Sequence, residues 1–362
     1  MPAWTDEYVL LAARITDRGL DLEAIERSLS AFTVETPSWG YGDSGTRFGV
    51  FPQAGRPRSV FERIEDAGLR VGAVNPNLFQ DPDYKLGSVT NPDRGVRSKA
   101  VEHLLECLEI ATALGSTAQS LWFADGTNYA GQDDLRARRK RMLDCLTEVY
   151  AQLPAGQEML VEYKFFEPAF YATDIADWGS ALLICQQLGE RANVLIDLGH
   201  HAQGANIEQI VAFLTDARRL GGFHFNNRKY GDDDLIVGSV NPFELFLIFT
   251  ELVGGPNDAL PRLTIDQSHN VEAKMAAMVM SVTNLQQVYA KALLIDRVGL
   301  FDAQQQGDVI AGHALLQEAF STDVRPLCAK VRETSGAAAD PLAELRSSGY
   351  VDRVASRRVG SG

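Results

Sequence analysis

Apolar positions along this chain switch between two periods. Stretches recurring every three to four residues predict amphipathic helices, and short apolar runs closed by Gly, Pro, Asn or Asp predict buried strands. Residues 4–30 repeat at helical spacing with a break at Gly19, which predicts two helices ahead of any sheet. FTVETPSW (32–39) alternates and then meets Pro and Gly, which predicts a first strand. A loop over 40–58, rich in Gly and aromatic residues, leads to a helix at SVFERIEDAG (59–68). Further strands are predicted at 69–76, 118–125, 158–165, 193–200, 221–228 and 261–268, with helical patterns between them. From residue 118 the strand starts lie 40, 35, 28 and 40 residues apart.

Strands alternating with helices at that period imply a parallel sheet with right-handed crossovers. Six or more such units in a row favour a closed barrel over an open sheet. The rival, an open doubly wound sheet, lacks its GxGxxG signature after the first strand. The expected fold class is therefore α/β, a (β/α)8 TIM-type barrel. Only seven strands can be counted, and the step from the helix at 59–68 straight into the strand at 69–76 is where one βα unit is missing. After residue 270 the pattern turns helical, through 272–296 and 308–333, and the end from Leu342 reads as weakly ordered. This predicts a barrel with N-terminal helices over 1–270 and a helical extension over 271–362 that serves oligomerisation.

Composition narrows the class. Hydrophobic residues make up 45% and charged residues 23% of 362, ordinary for a globular chain. The net charge of −14 repels nucleic acid and anionic membranes, and the short stretch RARRKR is no basic groove. No run of 18 apolar residues and no signal-peptide pattern is found, so a cytoplasmic location and no membrane partner are expected. Cys107, Cys145, Cys185 and Cys328 lie far apart with no CxxC pair, which reads as buried reduced thiols.

The candidate chemistry gathers at strand ends. VLIDLGHH (194–201) holds Asp197 and His200, and GGFHFNNRKYGDDD (221–234) holds His224, Asp232 and Asp234. Glu162 in MLVEYK and Asp266 in LTIDQSHN close their own apolar runs in the same way. In such barrels the chemistry sits at the C-terminal ends of the strands. Each acid or imidazole alone has a plainer reading, as a turn cap, a helix cap or a core histidine. Four strand units carrying one at the same relative place point instead to a metal site. Carboxylates with imidazole suit Mn²⁺, Co²⁺, Mg²⁺ or Zn²⁺. The acids outnumber the needs of one ion, and two ions bridged by Asp197, roughly 3.5–4 Å apart, would use them all. Lys164 lies two residues past Glu162, so both point to one side. His201 faces away from His200 and reads as a supporting residue, as does His269, while His103 and His313 fall on helices.

These stretches, with FTVETPSWGYGDSGTRF, NPNLFQDPDYKLGS, AVEHLLECLEI, LWFADGTNYAGQ and EYKFFEPAFYATDIADWG, resemble the L-rhamnose isomerases of the broad-specificity bacterial type, within the xylose-isomerase-like barrels. The resemblance runs from about residue 30 to the end of the chain. It implies one cation, most readily Mn²⁺, on Glu162, Asp197, His224 and Asp266, and a second on Asp197, His200, Asp232 and Asp234. It implies an aldose–ketose isomerase, L-rhamnose to L-rhamnulose, with hydride shifting between C1 and C2 of a small sugar. Catalysis would fall to Lys164, Asp266 and His200, and substrate contacts to Trp122, Lys164, Glu162 and His224. A cytoplasmic homotetramer is implied as well. One family feature is absent: a helix, strand and helix whose strand ends in a His followed by Pro-Trp-Asp, for no His precedes His103 here. Ring opening is the step that absence touches. Two rivals are a metal-binding relic with impaired or lost catalysis, and a metal-dependent barrel hydrolase, against which the negative charge argues.

Overall fold

The computed structural model describes residues 4–36, 64, 66–167, 171–255, 259–267 and 271–359. It divides into two compact units. The first comprises Met1–Pro37, Asn206–Asp216 and Phe225–Gly362, the second Ser38–Ala205 and Ala217–His224. Of the predicted loop 40–58 and the helix at 59–68, only residues 64 and 66–68 are among those described.

The second unit is a parallel sheet with its helices. Its strands are β1 (Ala73–Val74), β2 (Ala118–Leu121), β3 (Glu158–Glu162), β6 (Ala192–Asp197) and β7 (Leu220–Phe225), the last running on into the first unit. They neighbour one another in that order, each pair parallel. The antiparallel hairpin of β4 (Phe166–Glu167) and β5 (Tyr171–Ala172) interrupts the rhythm after β3 and left no periodic trace in the sequence. Between the strands lie α3 (Arg94–Ala113), α4 (Leu135–Ala151) and α5 (Trp178–Leu188). A short 3₁₀ turn, Pro82–Leu86, precedes α3.

One face of this sheet is closed by small and branched residues. Ala118, Leu160 and Leu195 form a buried cluster with Ala73 packed against it. Gly221 on β7 is part of the same packing, since a Cβ there would stand 2.5 Å from a Leu160 methyl. Strand side chains alternate between faces. Two residues past Leu160 and Leu195 on that face come Glu162 and Asp197. The apolar layer is therefore the floor beneath the acids.

The first unit carries β8 (Arg262–Ile265) and most of the remaining helices. Glu35 bridges Thr264 in parallel, with the Glu35 N–H donating to the Leu263 carbonyl at 2.7 Å and the Ile265 N–H to the Glu35 carbonyl at 2.9 Å. The first predicted strand thus lies beside the last, the pairing that a barrel needs for closure. Among the described residues these make seven strand positions, as the apolar pattern predicted. Helices α1 (Thr5–Asp17) and α2 (Leu22–Ser30) pack against the C-terminal α11 (Arg325–Thr334) and α8 (Lys274–Leu293). Phe32 stacks on Tyr289 with ring centroids 4.8 Å apart. Helices α6 (Ile207–Asp216) and α7 (Pro242–Gly254) pack together in the same unit.

Three C-terminal features depart from the pattern. Helix α9 (Arg297–Gln306) went unpredicted because it buries only Leu300 and Ala303. The single run 308–333 is two helices, α10 (Val309–Ser321) and α11, separated by Thr322–Val324 with Pro326 in the first turn of the second. The end expected to be weakly ordered forms α12 (Pro341–Ser347) and α13 (Tyr350–Val359), the former started by Asp340 accepting from two backbone N–H groups with Pro341 at its first position. Asp21, Asp93, Asp134, Asp177, Asp296 and Asp308 cap other helices in the same way, which gives part of the negative charge a structural role.

Leu160→Ala would open a void beneath the acids. Truncations of this kind cost about 2–5 kcal/mol, and a urea unfolding curve with an unchanged slope and lower midpoint is the expected result.

Candidate metal centre

Register and alternation assemble the site. Asp197 pairs with His224 across β6 and β7, so the two side chains leave the same face side by side. Glu162 ends β3, next to β6. The sequence pattern placed His224 in the middle of a strand over 221–228, but β7 ends at Phe225, so His224 also stands at a C-terminal strand end. His200 arrives from the turn after β6. Asp197 shapes that turn: its Oδ1 accepts the Gly199 N–H at 2.7 Å and its carbonyl accepts the His200 N–H.

The four side chains converge. His200 Nδ1 stands 3.1 Å from Glu162 Oε1, and His224 Nδ1 stands 3.3 Å from Glu162 Oε2. Asp197 Oδ2 lies 4.0 Å from His200 Nε2 and 3.9 Å from His224 Nδ1. All four residues are buried. One ligand atom each from Glu162, Asp197 and His200 falls within 4.8 Å of the others. Opposed ligands of a small divalent ion stand about 4.2 Å apart, twice the bond length, so small side-chain adjustments bring this set onto an ion.

Electrostatics favour the ligand state. Burial alone pushes the Glu162 carboxyl up, but His224 and His200 beside it outweigh that and hold it well below the usual carboxylate range. Glu162 therefore presents an ionised carboxylate. Two acids with two imidazoles, all buried, form a donor set that fits a borderline divalent cation.

The other three predicted ligands belong to the first unit. Asp266 follows β8, and its N–H donates to the Phe225 carbonyl at 2.9 Å. In the Asp232–Asp234 run the middle acid is the structural one. The Asp233 carboxylate accepts the N–H groups of Lys229, Tyr230 and Gly231, which closes the turn. Asp234 takes a positive φ of 48° and accepts from the Asn226 amide at 3.3 Å. His269 lies outside the described residues.

Trp122 and Lys164 flank the centre. Lys164 is buried, with Nζ 3.0 Å from Glu167 Oε2 and 5.2 Å from the Trp122 ring centroid. The Trp122 ring is 6.5 Å from that of His200 and packs edge-on against Phe79 at 4.6 Å. Trp122 thus lies near both the lysine and the imidazole. The sequence reading missed Glu167, because the ion pair depends on the hairpin that turns the chain back after Lys164.

It also passed over Asp125, which ends LWFAD as Glu162 ends its own run. Asp125 holds a loop: it accepts the N–H and hydroxyl of both Ser88 and Thr90. Burial pushes its carboxyl up despite those four bonds. Arg138 of α4, only 3% exposed in its side chain, bonds Thr90, Asp133 and Asp174. Asp174 in turn donates its N–H to the Asp125 carbonyl, and the adjoining Ile175 carbonyl accepts from the Lys164 N–H. A strand-end acid here is a loop latch, one layer out from the centre.

Comparison with known proteins agrees with this geometry. Residues 35–246 match the family model described as xylose isomerase-like TIM barrel. The chain belongs to that family. Against a probable sugar isomerase of Mesorhizobium japonicum it is 41% identical over 395 aligned positions, covering 97% of this chain and 92% of the relative. That share is about 351 of 362 residues, so about 44 aligned positions of the relative have no counterpart here. An L-rhamnose isomerase of Rhodopirellula baltica is 28% identical over 259 positions, 67% of this chain and 58% of that one. Among solved structures, an L-ribulose 3-epimerase superposes with a TM-score of 0.51 at 16% identity, over 79% of this chain and 92% of that one, a likeness of fold.

Arg138→Ala would take the guanidinium partner from Asp174 at the latch, while Asp133 keeps Arg141. Breaking such a pair costs about 3–5 kcal/mol, whereas breaking the exposed Arg325–Asp323 pair costs about 0–1 kcal/mol. Denaturant melts of the two variants, side by side, test the ranking.

Proposed function

We propose that this member of the xylose isomerase-like family is a metal-dependent aldose–ketose isomerase, with L-rhamnose as the first substrate to try. The observation that carries the reading is the buried meeting of Glu162, Asp197, His200 and His224 at neighbouring strand ends, beside Lys164 and Trp122. The name of the Mesorhizobium relative, a probable sugar isomerase, supports the general activity. The Rhodopirellula relative supports the choice of sugar more weakly.

In this reading Glu162, Asp197, His224 and Asp266 hold one divalent ion, and Asp197, His200, Asp232 and Asp234 a second. Mn²⁺ is the proposed metal. Bound cations of this kind polarise sugar oxygens and lower the pKa of bound water. The chain's own residues do the rest. Glu162 and Asp197 neutralise the cations and Glu162 and His224 face the sugar. Lys164, held by Glu167, donates a hydrogen bond to the sugar O1 and stabilises negative charge growing there. Trp122 covers the apolar face of the sugar and keeps water out. A binding role without turnover is the second reading, favoured by the about 44 positions missing relative to the Mesorhizobium protein. We further propose a tetramer built through the helices after residue 270.

Three measurements separate these readings. Manganese-loaded enzyme incubated with L-rhamnose, and with mannose and allose as alternatives, should form ketose, and EDTA should abolish it. Metal uptake with no product from any of them would leave only the binding role. Glu162→Gln and Asp197→Asn should each lose manganese binding in calorimetry while keeping the wild-type circular dichroism spectrum. Light scattering should give a mass near four times the 39.6 kDa chain.

A further inference from the structure

Tyr163 stands between Glu162 and Lys164, one residue past the end of β3. It is 2% exposed, and its hydroxyl lies 2.6 Å from His201 Nε2. The two rings meet edge to face with centroids 5.2 Å apart. His201 Nδ1 lies 3.4 Å from the Leu198 carbonyl. A carbonyl only accepts, so Nδ1 carries the His201 proton. Nε2 then accepts, and the Tyr163 hydroxyl donates.

The backbone of the same tyrosine governs the neighbouring imidazole. The Tyr163 carbonyl stands 3.1 Å from His200 Nδ1, which also faces Glu162 Oε1 at 3.1 Å. Both partners are acceptors, so His200 keeps its proton on Nδ1. Its Nε2 stands 4.0 Å from Asp197 Oδ2. One residue of β3's end therefore orients both members of the His200–His201 pair, one through its side chain and one through its carbonyl.

We propose that Tyr163 and His201 are a positioning pair. Their hydrogen bond clamps the turn 198–201 to the end of β3 and so keeps His200 Nε2 presented to the second cation. The inference rests on the metal reading above for its purpose, though not for its geometry. Neither residue touches the reacting atoms. Outer partners of metal-binding imidazoles commonly change affinity about 10–100-fold when removed. A phenylalanine at 163 would keep the packing and remove only the bond.

The test uses the full chain with Tyr163→Phe, His201→Gln and the double variant. In manganese titrations followed by electron paramagnetic resonance, wild type should take up two ions. Each single variant should weaken one of them about tenfold and leave the other in place. The double variant should be no worse than the weaker single one, because both changes break the same bond. In metal-free protein, long-range proton–nitrogen NMR correlations should place the His200 proton on Nδ1 in wild type and show mixed tautomers in Tyr163→Phe. A folded Tyr163→Phe with both affinities and the wild-type tautomer intact would overturn the pair, and so would equal loss at both ions. Should Tyr163→Phe not fold, His201→Gln, which leaves the tyrosine ring in place, decides by the same readouts. A wild type that binds no manganese removes the proposed function instead, and the tautomer measurement then still judges the clamp.

Discussion

Glu162 is the residue on which the arrangement depends. A carboxylate buried at the end of a strand is costly unless opposite or hydrogen-bonding groups surround it. His200 and His224 supply them from two directions, one toward each oxygen. That requirement couples three pieces of chain distant in sequence. β3 must carry the acid, β7 must place an imidazole in register with Asp197, and the turn after β6 must fold His200 back. None of the three can shift without leaving charge unpaired in the interior.

The floor beneath explains why the acids sit where they do. Ala118, Leu160 and Leu195 fill the sheet face one layer down. The same alternation that buries them lifts Glu162 and Asp197 to the strand ends. Stability and chemistry are thus consecutive layers of one pattern. Around them the Asp125–Arg138–Asp174 latch holds loops whose backbone reaches Lys164. The centre is supported by strands below and by a buried ionic layer to the side.

The likeness to the Mesorhizobium relative has a limit. About 44 aligned positions of the Mesorhizobium relative have no counterpart in this chain. The buried cluster itself is drawn from β3, β6, β7 and the turn after β6.

Much of this was legible in the amino-acid order. Parallel strands alternating with helices follow from apolar runs at a regular spacing. The acids and imidazoles that close those runs stand out because a polar residue at the end of a buried strand has few places to point. Local order could not say which of these acids would serve a metal and which a loop. Asp125 and Glu162 end their runs alike, yet one meets Ser88 and Thr90 and the other two histidines, because helix and loop packing decide what faces a strand end. Nor could it show Glu167 turning back onto Lys164 across a hairpin, or Tyr163 reaching His201. Sequence periodicity determines the face on which a side chain leaves its strand; only the tertiary structure decides what waits there, since that is set by registers and crossovers among segments far apart in the chain.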